Sequence, residues 1–198
     1  MRRILRFFGI LSLLAVLGIG ALLASLWIEH RGEVTLPTPT GNFAVSRSIY
    51  DWVDDHGLDP LAPTPRTKRE LLVWIWYPAA PAPSAPVDAY VPVSVRPPAT
   101  TIPAVFRLLT HDLTKVHGHS FRDAALSPRQ KLYPVVMMRA GASAPIVNYS
   151  TLAEDLASHG YVVVGFDAPF RTRDVISRTA AESNEGRRIT PNSSPDRN

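Results

Sequence analysis

The sequence predicts an α/β domain, built on a mostly parallel sheet with flanking helices, that follows one transmembrane helix. Three stretches support this prediction. Residues 70–77 (ELLVWIWY) are apolar on both alternating faces, which is typical of a strand covered by helices on two sides. Residues 133–167 read as a strand, a small-residue loop, an amphipathic helix and a second strand, which is one βαβ unit. Residues 7–28 contain no charged side chain.

Composition supports a folded domain and excludes several chemistries. The 198 residues are 45% hydrophobic, so the chain can bury a core. Cysteine is absent, which excludes disulfides, Cys-ligated zinc and thiol nucleophiles. The net charge is +4, but Arg2, Arg3 and Arg6 contribute most of it. No basic stripe interleaved with aromatic residues follows, so nucleic acid is not an expected partner.

The uncharged N-terminal run, residues 7–28, is long enough to cross a membrane. As a helix rising about 1.5 Å per residue it spans roughly 33 Å. A secretory signal would be shorter and would have small residues at −3 and −1, whereas cleavage after Ala24 would put Leu22 at −3. An uncleaved anchor is therefore favoured over secretion after signal cleavage. The preceding arginines predict a single-pass protein of the cytoplasmic membrane, with its N terminus inside and its domain outside.

The chain divides into four predicted parts. The spacer is rich in Pro and Thr and cannot continue the membrane helix, and the last part is polar without an apolar run. The boundaries are residues 1–28 for the arginine cluster and anchor, 29–42 for the spacer, 43–180 for a partial α/β domain, and 181–198 for the tail.

Within the predicted domain, residues 43–52 are expected to form a first strand, and residues 104–113 a short helix. Frequent prolines across residues 78–103 predict a surface excursion, because proline interrupts helices and central strands. His117 and His119 have the H-x-H spacing of some zinc sites, but no third ligand is close in sequence. No metal and no cofactor is expected.

The βαβ unit is predicted in more detail. Residues 132–138 are read as a buried strand, followed at its carboxyl end by a loop from Arg139 to Ala144. Thr151 and Glu154 have the spacing of a capping box at the start of the helix, with Leu152 and Leu156 on one face. Gly160 is expected to end the helix, and residues 161–166 to form the next buried strand. Ligands bind beyond the carboxyl ends of such strands, so loops 139–146 and 167–174 are the expected location of the chemistry.

Four segments, in this order, carry a family resemblance. They are REL-x-V-x-I-WYPA from Arg69, HSFRDAALSP from His119, YPVV from Tyr133 and LASHGYVVVGFDAPF from Leu156. Together they resemble the platelet-activating factor acetylhydrolase-like branch of the α/β-hydrolases, from about residue 41 to about residue 178. The resemblance implies the N-terminal part of an α/β-hydrolase fold. It also implies a carboxylic ester hydrolase that acts on a small ester or phospholipid through Ser, Asp and His in that chain order.

The nucleophile of that family lies in a G-x-S-x-G elbow, and this sequence contains no such motif. The nearest candidate is Ser143, in Gly-Ala-Ser-Ala-Pro from Gly141. It is disfavoured because Pro145 replaces the second glycine and the helix begins several residues later. In addition, the only later histidine, His159, precedes the separate later acids.

The loop matches the family's oxyanion loop better than its elbow. By position, the resemblance assigns the backbone N–H of Ala142 as the oxyanion donor, with Gly141 permitting the required backbone conformation. Arg139 and Ala140 stand where the family commonly has Ser and His. An ordinary small-residue loop is the alternative interpretation.

The chain is expected to be a fragment that ends before the nucleophile and is inactive alone. Residues 132–138 would then form an open sheet edge prone to self-association. Two alternatives stay open. One is a dienelactone-hydrolase-like or cutinase-like esterase, and the other is a non-catalytic, membrane-tethered binding or interaction protein.

Overall fold

The computed structural model describes residues 2–62, 65–96, 110–141, 144–168 and 170–172. These residues belong to two compact units. The first unit comprises Met1–Val34 and Pro98–Val116, and the second comprises Thr35–Pro97 and His117–Asn198. The predicted tail and most of the predicted helix at 104–113 lie outside the described residues. The last residue of that predicted helix, Leu113, begins a 3-10 helix, Leu113–Lys115.

The first unit is dominated by helix α1, Arg2–Arg31. Its segment Arg6–Arg31 has a mean hydropathy of 2.5 and is not buried, so it is long and apolar enough to cross a membrane or to serve as a signal sequence. At the end of α1 the Arg31 guanidinium lies 4.2 Å from the centre of the Trp27 ring. There, too, the His30 ring is hydrogen-bonded to the Thr110 carbonyl oxygen.

The strands form a seven-stranded mixed sheet in the order β1-β5-β2-β3-β7-β6, with β4 paired to β5. Their bounds are β1 Val34–Thr35, β2 Ala44–Leu58, β3 Lys68–Ala79, β4 Val87–Ala89, β5 Val116–Arg122, β6 Val135–Arg139 and β7 Val162–Asp167. The α/β class is confirmed, and the predicted strands at 70–77 and 161–166 are present as β3 and β7.

Parallel pairing is less extensive than the sequence suggested. β6 and β7 are parallel, as are β2 and β5, but β3 is antiparallel to both β2 and β7. The segment between β2 and β3 is too short for a helical crossover, so the chain reverses there. The first strand, expected over residues 43–52, is longer in the structure: β2 extends to Leu58. It therefore contains Asp51, Asp54 and Asp55.

Helix α2, Ser150–Ser158, covers one face of the sheet. The fully buried side chains of this helix are small or polar. Ala153 and Ala157 are fully buried, whereas Leu152 is half-exposed. Small side chains let the helix approach the sheet closely, over a core that includes the stacked indoles of Trp74 and Trp76.

The predicted capping box is wrong. Tyr149 occupies the N-cap position without a side-chain hydrogen bond, and Thr151 lies inside the helix. The Glu154 side chain is buried and accepts hydrogen bonds from the Ser120 N–H at 3.0 Å and the Ser120 hydroxyl at 2.6 Å. The capping-box residue therefore joins α2 to β5.

The predicted end of the helix is confirmed. Gly160 has a φ of +95°, a conformation that favours glycine. Its N–H donates to the Ala157 carbonyl oxygen, and the Tyr161 N–H donates to the Leu156 carbonyl oxygen. These two bonds form a Schellman motif, which turns the chain directly into β7.

Strand β6 is the last strand of the described sheet, and the described residues cover only one of its faces. Val136 and Met138 lie on the face towards α2, whereas Val135 is 62% exposed and Met137 is 74% exposed. The prediction of a strand buried from Leu132 onward was therefore wrong, since Leu132 lies before the strand and is 86% exposed.

Candidate active site

The carboxyl ends of the parallel strands β6 and β7 lie side by side, because Arg139 pairs with Phe166. The two loops singled out from the sequence both begin here. This edge is where an open α/β sheet binds ligands. It is therefore the candidate active site.

The loop after β6 includes the predicted oxyanion donor. The Ala144 N–H donates to the Gly141 carbonyl oxygen at 3.0 Å, while Ala142 and Ser143 lie outside the described residues. Gly141 is exposed, its φ is not in the left-handed region, and a Cβ atom added there would meet nothing within 4 Å. Neither space nor backbone conformation requires glycine at this position in the structure.

Asp167, the last residue of β7, fixes the far end of that loop. It is 2% exposed, and its Oδ1 accepts a hydrogen bond of 2.8 Å from the Ile146 N–H. Burial raises the pKa of Asp167 to about 6, while the hydrogen bond from Ile146 and the Trp74 side chain oppose the shift. Ile146 is fully buried and packs against Gly165. A Cβ atom added to Gly165 would lie 2.4 Å from the Cγ1 atom of Ile146.

Sequence reasoning gave Asp167 no role. The available signal was a carboxylate at the carboxyl end of an otherwise apolar strand, next to the loop expected to carry the chemistry. A buried carboxylate with a perturbed pKa at such an edge is a feature of functional sites, although structural networks produce it too.

The turn after β7 is tightly constrained. The Ala168 carbonyl oxygen accepts from the N–H groups of Arg171 and Thr172, at 3.2 and 2.9 Å. The buried Phe170 has a φ of 65°, which is uncommon for a bulky residue and stores backbone strain. The turn therefore presents Arg171 and Thr172 in a defined position.

A cavity of about 550 Å³ opens at this edge. Its walls come from both loops: Arg139 with residues 140 and 141 after β6, and Phe166 with residues 168, 171 and 172 from β7 onward. It combines two cationic side chains with an aromatic ring and small apolar groups.

Two buried polar clusters lie away from this edge, and both are structural. The Asp88 carboxylate bridges Arg47 at 2.6 Å and Arg122 at 2.7 Å, which fastens the Pro-rich excursion to the sheet. In the other cluster, the Glu154 carboxylate accepts a hydrogen bond from the backbone N–H of His119 in β5. The ring Nε2 of His119 is hydrogen-bonded to the Leu36 carbonyl oxygen. Among the described residues, no group of three or more His, Asp or Glu side chains could hold a metal ion.

Comparison with known proteins agrees with this geometry. The family described as platelet-activating factor acetylhydrolase, isoform II, matches residues 95–184. Among solved structures, a ferulic acid esterase from Streptomyces cinnamoneus aligns with a TM-score of 0.57 and 25% sequence identity. The alignment covers 72% of this chain and 38% of the esterase, so the chain spans less than half of that protein. A search of curated proteins found no significant match.

The sheet order, the βαβ unit at its end and the esterase alignment define part of an α/β-hydrolase fold. Within that fold, residues 95–184 are similar to the platelet-activating factor acetylhydrolase family. The resemblance stated from the four sequence segments is confirmed.

Proposed function

We propose that this chain belongs to a carboxylic ester hydrolase that cleaves lipid or short-acyl esters by Ser-His-Asp chemistry. The observation that carries the proposal is the match of residues 95–184 to the acetylhydrolase family, because the matched stretch includes the loop at the carboxyl end of β6. The aligned ferulic acid esterase, itself an ester hydrolase, supports the same reaction class.

In this proposal the loop after β6 stabilises the transition state. A serine oxygen attacks the ester carbonyl carbon, and the carbonyl oxygen gains negative charge as the tetrahedral intermediate forms. The backbone N–H of Ala142 donates to that oxygen, and one such donor is worth about 3 kcal/mol of transition-state stabilisation. Asp167 acts indirectly, since its bond to the Ile146 N–H holds the backbone just beyond the loop.

The nucleophile is not provided by Ser143 in this proposal, and these residues contain no G-x-S-x-G motif. The chain therefore supplies the oxyanion side of the site and does not hydrolyse esters alone. The esterase alternative is a dienelactone-hydrolase-like or cutinase-like enzyme, which uses the same elements on different esters.

We further propose that α1 anchors the domain to the cytoplasmic membrane, with the N terminus inside and the domain outside. The exposed apolar surface of the helix, the N-terminal arginines and the Trp27–Arg31 pair at its other end support this topology. Secretion after signal cleavage is the alternative.

Self-association through the open edge at β6 is also proposed. The supporting observation is the position of β6 at the end of the described sheet, with Val135 and Met137 exposed. Light scattering in neutral detergent tests it: we expect a dimer that Met137→Lys converts to a monomer, because a charge on the edge opposes pairing. A monomeric parent protein would refute it.

Ester hydrolysis is tested on the native gene product. An antibody against residues 80–96 is used to capture it from membranes, together with any associated polypeptide. We expect the captured material to release p-nitrophenol from p-nitrophenyl acetate and to lose this activity with a serine-reactive organophosphate. Hydrolysis no faster than in a capture with an unrelated antibody would refute the enzyme and favour the non-catalytic binding protein.

A further inference from the structure

The cavity at the carboxyl ends of β6 and β7 contains positive charge that the described residues do not neutralise. Arg139 and Arg171 both line it, and none of the other described lining residues is Asp or Glu. Within the described part of the chain, neither guanidinium takes part in a hydrogen bond or ion pair. The neighbouring carboxylate, Asp167, is buried, and its Oδ1 accepts the Ile146 N–H.

The strand geometry keeps this charge separate from Asp167. Phe166 lines the cavity and pairs with Arg139, so both lie on one face of the sheet. Successive strand residues point to opposite faces, which directs Asp167 towards the other side. The two arginines therefore face the cavity without a counter-ion among residues 2–62, 65–96, 110–141, 144–168 and 170–172.

The rest of the wall suits a ligand that is partly apolar. Phe166 and the small residues 140, 141 and 168 provide apolar surface, and the cavity volume of about 550 Å³ is that of a small-molecule site. The buried Thr172 hydroxyl accepts from the Ala168 N–H at 3.3 Å, and no described residue accepts its own proton, which it can donate to a ligand. Guanidinium groups bind carboxylate and phosphate oxygens in pairs.

We propose that this cavity binds the carboxylate or phosphate group of an amphiphilic ligand, through Arg139 and Arg171, with the apolar part of the ligand against Phe166. The identity of that ligand as a substrate rests on the proposed function. The ester hydrolysed would then carry a negative charge next to its apolar body. Anion binding itself does not depend on catalysis.

Binding is measured by titration calorimetry on the full chain in neutral detergent. Phenyl phosphate and benzoate serve as anionic probes, and benzyl alcohol as the neutral control. We expect both anions to bind and benzyl alcohol not to. Arg139→Gln and Arg171→Gln should each weaken binding about tenfold or more, since a hydrogen bond to a charged group contributes about 1.5–3 kcal/mol.

The matched control is Arg129→Gln. Arg129 lies over the Phe43 ring, outside the cavity, and its loss removes the same charge. It should change the dissociation constants less than twofold. Both cavity arginines are exposed, so their substitution should preserve the fold, which circular dichroism checks.

A second probe distinguishes a lipid headgroup from a small free anion. Dihexanoyl phosphatidic acid is titrated below its micelle-forming concentration. If this lipid binds in an arginine-dependent way and phenyl phosphate does not, the site is assigned to a lipid headgroup. If both the lipid and phenyl phosphate bind, the site is assigned to small anions. No binding of any anion, or equal binding by the parent and both cavity variants, would overturn the proposal. Intact anion binding without ester hydrolysis by the native product would refute the enzyme but not this site.

Discussion

Replacing Asp167 with asparagine should stabilise the protein at neutral pH and leave it nearly unchanged in acid. Burial raises the pKa of Asp167 from 3.8 to about 6, so the folded state holds this proton more tightly than the unfolded state. Stability from this group is therefore fully present below pH 3.8 and is lost as the pH rises through 6. A shift of this size corresponds to about 3 kcal/mol.

Asparagine avoids that cost because it cannot ionise, and its side-chain oxygen can still accept the Ile146 N–H. The pKa of about 6 already includes the opposing effect of the hydrogen bond from Ile146, so no further correction for that bond is needed. We therefore expect the Asp167→Asn variant to be more stable than the parent by about 3 kcal/mol at pH 7.5, and by much less at pH 4.

The assay is urea unfolding in neutral detergent, followed by the fluorescence of the buried indoles at 74 and 76. The difference in unfolding free energy between variant and parent is plotted against pH, so that the titration of other groups cancels. The expected curve rises between the pKa of 3.8 and the pKa of about 6, with a midpoint near pH 5, and is nearly flat above pH 6. A difference independent of pH, or a variant less stable than the parent at pH 7.5, would refute the reasoning.

Three other outcomes are expected. Gly165→Ala should destabilise the fold by about 1–3 kcal/mol in the same urea assay, because the added Cβ would lie 2.4 Å from Ile146 Cγ1. Gly141→Ala should change the stability by less than about 0.5 kcal/mol, because a Cβ added there would meet no described atom within 4 Å. Equal effects at the two glycines would contradict the packing described. Glu154→Gln should cost about 1–3 kcal/mol, since an amide cannot accept all the hydrogen bonds that the buried carboxylate receives; an unchanged urea midpoint would rule this out. The purified chain should release p-nitrophenol from p-nitrophenyl acetate no faster than detergent buffer does, and turnover abolished by Ser143→Ala would instead identify that serine as the nucleophile.

Sequence patterns predicted the elements whose signal is local. The strand around Trp74 and Trp76 is apolar on both faces, and β7 is an apolar run that follows a glycine suited to ending a helix. Each of these signals depends on residues that are close in sequence. They were sufficient to predict the α/β class and the resemblance of residues 95–184 to the acetylhydrolase family.

The errors arose where distant contacts decide the structure. Glu154 has the spacing of a capping box, but its carboxylate is used by the Ser120 backbone and hydroxyl from another strand. The direction of β3 is set by pairing with both β2 and β7, which an apolar pattern does not encode. The buried Arg47 was not predicted either, because its partner Asp88 lies in a Pro-rich segment that reads as surface.

The most direct test of the ester-hydrolase assignment is the rate at which a fluorophosphonate labels the native gene product, captured with its associated polypeptides. The variant Ala142→Pro removes the backbone N–H assigned to the oxyanion, and Ala142→Gly retains it. Losing that donor should slow labelling at the nucleophilic serine about 100-fold or more, while the glycine variant stays within about threefold of the parent. Labelling of the proline variant at the parent rate, or no labelling of the parent, would contradict the account.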